Sequence, residues 1–271
     1  MPLSRRVYRF PGLSRETFRG LPGLLADALP DRFGRRRVAI PALLLVAVAT
    51  ATSFLHLGNP VNAPRAMRNL ATSWLSREIL AIGLYKLTLF AAFIVGWQTE
   101  APGFAWQVLA PAALAGLLLL WTMSGVYLIV TVPAWNSAHT PLGFMLTTLC
   151  LGAAACLLFG ISGRIAVDPA LLDVCKVVLV IVMVLEIVAI YANQRRLRGL
   201  DLGFRGPDFG RGTLQLLFLG RMALLLAGLG LALFLPDTDH AAWLYFLLAL
   251  LVLQELAGRL LFYGSYFRVG L

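Results

Sequence analysis

Leu171-Leu172-Asp173-Val174-Cys175-Lys176-Val177-Val178-Leu179-Val180-Ile181-Val182-Met183-Val184-Leu185-Glu186-Ile187-Val188-Ala189-Ile190-Tyr191-Ala192 decides the fold. The stretch is almost wholly apolar, and crossing about 30 Å of hydrocarbon takes roughly 20 helical residues. Lipid offers the backbone no hydrogen bonds, so a spanning segment satisfies its own as a helix or closes a barrel. The residues here do not alternate in polarity as barrel strands do, so the stretch reads as a helix. Six more runs share its character: 38–56, 79–97, 108–130, 142–161, 213–235 and 241–262. Gly and Pro mark the joints, as at Asn59-Pro60, Pro102-Gly103, Pro141, Pro169, Gly206-Pro207 and Pro236, while Pro41 and Pro111 fall at or inside runs, where membrane helices tolerate them. The expectation is an all-α, polytopic transmembrane helix bundle of seven spans over residues 38–271, with no internal repeat.

Composition agrees. The chain is 59% hydrophobic and 13% charged, with a mean hydropathy of +0.81. Soluble domains are about 45–50% apolar and about 25% charged. A surface this poor in charge needs a lipid bilayer around it. Residues 1–37 stand apart, with nine arginines and no spanning run. Ser4-Arg5-Arg6-Val7-Tyr8-Arg9-Phe10 superficially resembles a twin-arginine export signal, but no apolar core follows it. This segment reads as a basic, disordered tail or a non-native start. Because much of the net charge of +10 resides there, the charge is no argument for nucleic acid, and anionic lipid suits it better.

Helix parity sorts the remaining polar residues. Face X is where the first run ends. Its loops are 57–78, 131–141, 193–212 and the C-terminal tail; the opposite face, Y, carries 98–107, 162–170 and 236–240. Among ionisable residues within the runs, Lys86, Glu186, Arg221, Glu255 and Arg259 lie toward X, and only Lys176 lies near Y. Charges inside a membrane usually face the bundle interior and mark a site or path. His56 and Glu78 flank the first X loop, which also carries Arg65, Arg68 and Arg77. The whole describes a one-sided polar site rather than a channel.

Plainer explanations exist for each member. Glu255 and Arg259 are four apart and pair on one helix face. Lys86 snorkels, Arg221 is an anchor, and Trp74 and Trp135 are belt aromatics. Cys150, Cys156 and Cys175 lack metal-ligand or redox spacing and read as buried apolar residues. No metal site is expected. Haem needs two facing imidazoles; His139 reads as a loop residue and His240 lies on face Y, so no haem is expected. The last span has no lysine for a retinal Schiff base, and the paired halves of a transporter are not evident.

His56-Leu57-Gly58-Asn59-Pro60 with Leu75-Ser76-Arg77-Glu78-Ile79, Val132-Pro133-Ala134-Trp135-Asn136-Ser137 running into Thr140-Pro141-Leu142-Gly143-Phe144-Met145-Leu146-Thr147, and Glu255-Leu256-Ala257-Gly258-Arg259 with Phe262-Tyr263-Gly264 together resemble the membrane-anchor subunits of the dimethyl sulfoxide reductase family. The resemblance runs from residue 37 to the C-terminus in the family's order. It implies an anchor in the bacterial inner membrane that oxidises menaquinol or another quinol during anaerobic respiration. Electrons would pass to an iron–sulfur electron-transfer subunit and on to a molybdopterin catalytic subunit. The clusters and the molybdopterin belong to those partners, and the anchor holds no haem. The family's quinol histidine falls on His56 and its glutamate on Glu78; Arg77, Trp135, Glu255 and Arg259 complete the candidate quinol pocket. The family pattern has eight helices, and residues 1–36 offer nothing for the first. The positive-inside rule places X in the cytoplasm, whereas family members with exported catalytic subunits dock them outside; the orientation adopted is X toward the periplasm. The rival class is a non-redox membrane transporter or scaffold.

Overall fold

The computed structural model describes residues 44–48, 51, 69–98, 105–162, 167–199, 212–234 and 241–266. Six long helices occur among them: α1 Trp74–Gln98, α2 Ala105–Tyr127, α3 His139–Ile161, α4 Pro169–Gly199, α5 Thr213–Leu233 and α6 Ala241–Gly264. All six are long and apolar enough to cross a membrane, and no strand occurs among the described residues. Residues 44–48 and 51 of the first run are helical; the remainder of that run, His56, and the 1–37 tail lie outside the described residues.

Several helix ends differ from the sequence expectation by two residues or more, and three of them have an evident local reason. α1 starts at Trp74 rather than 79, because Ser73 Oγ accepts the Ser76 N–H at 3.3 Å and caps the helix. Arg77 braces the turn before it, donating to the carbonyls of Leu70 at 2.9 Å and Ala71 at 2.5 Å. α3 begins at His139, so this histidine is helical and not in a loop. Pro141 does not stop the helix, since a first-turn N–H has no intrahelical partner to lose. α4 runs on from Ala192 to Gly199, with Arg196 and Arg198 in a last turn that favours cations.

Helices consecutive in sequence pack together, and α6 also packs on α3. α3–α6 therefore close into a four-helix ring, while α1 and α2 form a hairpin attached through α2 against α3. The largest apolar cluster among the described residues is built by the ring: Leu146, Cys150, Leu157, Leu179, Met183, Leu225, Leu247 and Leu251 are among its members, while the buried Ala81, Ala112 and Ala115 of the hairpin lie outside it. On α4 the buried positions Leu179, Val182, Met183, Glu186, Ala189 and Ile190 recur at helical spacing. Lipid tails are as apolar as leucine, so close packing and interhelical polar bonds hold such helices together. Large apolar side chains elsewhere, such as Leu84, Leu87, Trp121, Val188 and Leu216, are exposed, as lipid-facing residues are.

Candidate functional site

The charges that parity gathers on the X side meet inside the ring. Counting from the X ends of their helices at about 1.5 Å per residue, Thr147, Glu186, Arg221 and Glu255 lie roughly 12–20 Å deep. Arg221 Nη2 of α5 donates to Glu186 Oε1 of α4 at 2.6 Å. Its Nε donates to Gln254 Oε1 of α6 at 3.3 Å. The Gln254 amide nitrogen in turn donates to Glu255 Oε1 at 3.0 Å and to Glu186 Oε2 at 3.4 Å. Thr147 Oγ1 of α3 lies 2.8 Å from both Glu255 Oε2 and the Gly143 carbonyl oxygen, so its single proton serves one at a time. Arg259 Nη2 donates to that same hydroxyl at 3.4 Å. Its guanidinium also stands 4.2 Å from the centre of the Phe144 ring, a cation–π placement.

Glu255 and Arg259, expected as a helix-face pair, thus meet through Thr147. Glu186 finds its counter-charge on another helix. A buried carboxylate in lipid needs such partners, and all four ring helices supply them. A search of the sequence for charge misses Thr147 and Gln254 because both are neutral. A signal for Gln254 is nonetheless present: it stands three and seven residues beyond Leu251 and Leu247, on the stripe that faces the core. Gly258 is part of the same design, because the Arg221 guanidinium occupies the place of a Cβ there.

Two half-open cavities of about 60 and 50 Å³ lie against this network. The first is lined toward X by Asn193, Gln194 and Ser265. The second reaches Thr147, Glu186, Glu255 and Arg259. His139, Arg221 and Gly258 border both. The His139 Nδ1 is buried without a hydrogen-bond partner among the described residues.

At the X ends, aromatic rings lock the hairpin onto the ring of helices. Trp135 Nε1 donates to the Phe262 carbonyl at 2.7 Å, and the two rings stack 5.1 Å apart. Tyr127 and Tyr263 share a hydroxyl hydrogen bond of 2.9 Å. Trp135, a candidate quinol contact, is thereby taken up as a pin between the 128–138 connection and α6. Arg77, another candidate, is engaged with the turn before α1 and lies 4.6 Å over the Trp74 ring. Glu78, one helical position further, is half-buried and makes no hydrogen bond to a described residue. Tyr127 lies within electrostatic reach of both Glu78 and Arg259. Among the described residues, no three His, Cys, Asp or Glu side chains are grouped to hold a metal ion.

Comparison with known proteins agrees with this architecture. The anaerobic dimethyl sulfoxide reductase protein YnfH of Escherichia coli K12 is 30% identical over 242 residues, covering 84% of this chain and 81% of that one. A second anaerobic dimethyl sulfoxide reductase chain of the same organism is 30% identical over 245 residues, covering 84% and 80%. A sulfite dehydrogenase subunit of Allochromatium vinosum is 33% identical over 126 residues, covering 43% and 38%. No solved structure matches significantly. Residues 31–265 match the DMSO reductase anchor subunit (DmsC) family, and with two relatives matched across four-fifths of their length, the chain belongs to that family of multi-pass membrane anchors.

Proposed function

We propose that this anchor oxidises menaquinol or another quinol at face X, with Glu78 and His56 as the groups that receive its protons. The observation that carries this is Glu78 itself. It is a half-buried carboxylate near the X end of a spanning helix, and no described side chain hydrogen-bonds to it. Such a group is an acceptor held ready for a ligand. Oxidation of a quinol to a quinone releases two protons and two electrons. Glu78 takes one proton to the aqueous edge, and the imidazole of His56, suited to exchange near neutral pH, takes the other. The two electrons leave singly to a partner iron–sulfur electron-transfer subunit, and from there to a molybdopterin catalytic subunit. The iron–sulfur clusters and the molybdopterin reside in those partners, and no haem takes part. The complex serves anaerobic respiration in the bacterial inner membrane, with face X toward the periplasm.

The dock for the iron–sulfur subunit is then the X surface, because electron tunnelling needs a cluster near the quinol. Arg195 and Arg198 and the 200–211 segment supply guanidinium groups suited to carboxylates of a partner. Arg196 is engaged within the chain, donating to the carbonyls of Pro133 at 3.0 Å and Ala134 at 3.3 Å. Quinol turnover in the assembled complex tests the reading. Glu78→Gln and His56→Ala should each abolish most of it while the subunits stay assembled. Undiminished turnover in both variants would overturn the proposal. Arg195→Glu with Arg198→Glu should separately release the partner subunits while the anchor still inserts.

A further inference from the structure

The two arginines of the buried network carry more donors than the protein engages. A guanidinium has five N–H donors; among the described residues Arg221 uses two and Arg259 one. The polar atoms that are both inaccessible and unpartnered are Ser137 Oγ and His139 Nδ1 alone among the described residues, so no guanidinium donor is sealed away without a partner. Both arginines instead border the cavities. A water molecule needs about 10–15 Å³ of such space and two to four polar partners. Volumes of about 60 and 50 Å³ hold several waters each, and the linings are rich in polar groups.

The space is closed on the other side. Beyond Glu186 and Gln254 toward Y, the four helices meet through Cys150, Leu157, Leu179, Met183, Leu225, Leu247 and Leu251, all fully buried. Gly228 brings α5 close enough that a Cβ there would touch Met183 and Leu251. Apart from the weak thiol of Cys150, the side chains of this layer offer water no hydrogen bonds. The X side differs, since Asn193, Gln194 and Ser265 lead from the first cavity toward the ends of α4 and α6.

We propose that the two cavities form a water-filled cul-de-sac, open to face X alone, through which the Glu186 and Glu255 carboxylates exchange protons with the solution on that face. The ligand is a short chain of water molecules spanning the cavities past His139 and Arg221. A proton moves along it by breaking one O–H bond and forming the next, with no net redox change. Hydration of the cul-de-sac stands apart from the quinol reading; only its use rests on that reading. There, the Tyr127–Tyr263 hydroxyl pair, within electrostatic reach of Glu78 and Arg259, links the quinol side to this wet interior.

Hydroxyl-radical footprinting of the unaltered chain in native membranes tests the hydration. Phe144, which is buried and lines the second cavity, should be oxidised; Met183 in the apolar layer, intrinsically the more reactive side chain, should be spared. A spared Phe144 would mean a dry interior, and an oxidised Met183 would mean water passing through the bundle; either overturns the proposal. Sidedness is read with Ala189→Cys after Cys150, Cys156 and Cys175 are replaced by Ala, using a small membrane-impermeant thiol reagent. Labelling should occur from X and be lost from Y; labelling from Y sinks the one-ended pathway. Proton exchange is read by infrared spectroscopy after a pH step on one face. The carboxyl signal should follow a step at X, fail to follow one at Y, and disappear in the Glu186→Gln, Glu255→Gln double variant. Its persistence in that variant would refute the assignment to these carboxylates. None of these readouts uses a quinol, so failure here leaves the quinol reading intact, and loss of turnover at Glu78 leaves the hydration intact.

Discussion

The α3–α6 ring and the α1–α2 hairpin are built from equally greasy helices, yet they cohere in different ways. The ring buries a continuous apolar core and ties all four helices into one ion and amide network. Among the described residues, the hairpin contributes nothing to that cluster. It is held by close approach: the Trp74 ring of α1 lies where a Cβ on Gly125 of α2 would stand, and Tyr85 packs against Gly116. Hydropathy treats the two regions alike. What separates them is where the few polar and small residues fall, since in lipid it is packing and polar bonds that bring helices together. The ring has a fixed interior; the hairpin presents Glu78 at its rim.

The sharpest break in this contrast is removal of the buried cation. Arg221→Ala leaves Glu186, 3% exposed, without its counter-charge. Removing one member of a buried ion pair costs about 3–5 kcal/mol. The lower end is expected if cavity water reaches the carboxylate. The matching double change, Arg221→Leu with Glu186→Leu, should recover much of the loss, because two apolar groups leave no charge stranded. Reversible unfolding of the full anchor in bilayers checks both. A double variant no more stable than the single one would show that the network's worth lies outside this pair.

Glycine substitutions sharpen the comparison. Gly258→Ala places a methyl 2.6 Å from the Arg221 Cζ, and the guanidinium cannot retreat without giving up Glu186. Overpacking of this kind costs about 1–3 kcal/mol. Gly83→Ala in the hairpin meets nothing within 4 Å. It should stabilise the anchor by about 0.5–1 kcal/mol, the helix-interior difference between Ala and Gly. Opposite signs at two spanning glycines, measured by the same unfolding assay, are the expected outcome.

Much of this organisation is legible in the residues alone. Run length and composition give the spans, and helix parity puts five charges on one side of the membrane; the network then brings four of those five together. Lys86, on α1, is the one outside the ring. Pairing is not legible, because one helix carries no record of which neighbour it will meet: Glu186 and Arg221 are 35 residues apart. Neutral contributors are invisible to a search for charge, although Gln254 sits in register with Leu247 and Leu251. His139 reads as a loop residue because Pro141 looks like a barrier; in a first turn it is none. Arg77 and Trp135 also have partners that residue type alone does not show: Arg77 donates to the carbonyls of Leu70 and Ala71, and Trp135 donates to the carbonyl of Phe262.

Gly125→Ala tests whether the hairpin's geometry, rather than its stability, is what serves Glu78. A methyl there must push the Trp74 ring away from α2. Trp74 is the first residue of α1 and Glu78 lies one helical turn on, so the carboxylate moves with it. The ring of helices has no part in this contact. We expect quinol oxidation to fall several-fold, while unfolding of the anchor shifts by only about 1 kcal/mol, the low end for overpacking. Equal losses of stability and turnover would instead mean that the hairpin is part of the fold's foundation.

The smallest effect is expected where the two regions touch. Tyr127 of α2 and Tyr263 of α6 share one hydroxyl bond, and their rings pack edge to face at 6.1 Å. Tyr127→Phe removes the bond and keeps the ring, which also contacts Trp135, Phe144 and Phe262. A neutral hydrogen bond contributes about 0.5–1.5 kcal/mol net. Because each hydroxyl is the other's partner, Tyr263→Phe should cost a similar amount. The double variant should cost little more than either alone, a coupling that a double-mutant cycle reads directly. Additive costs would show that each hydroxyl has a separate partner, and that the hairpin is joined to the ring by something other than this bond.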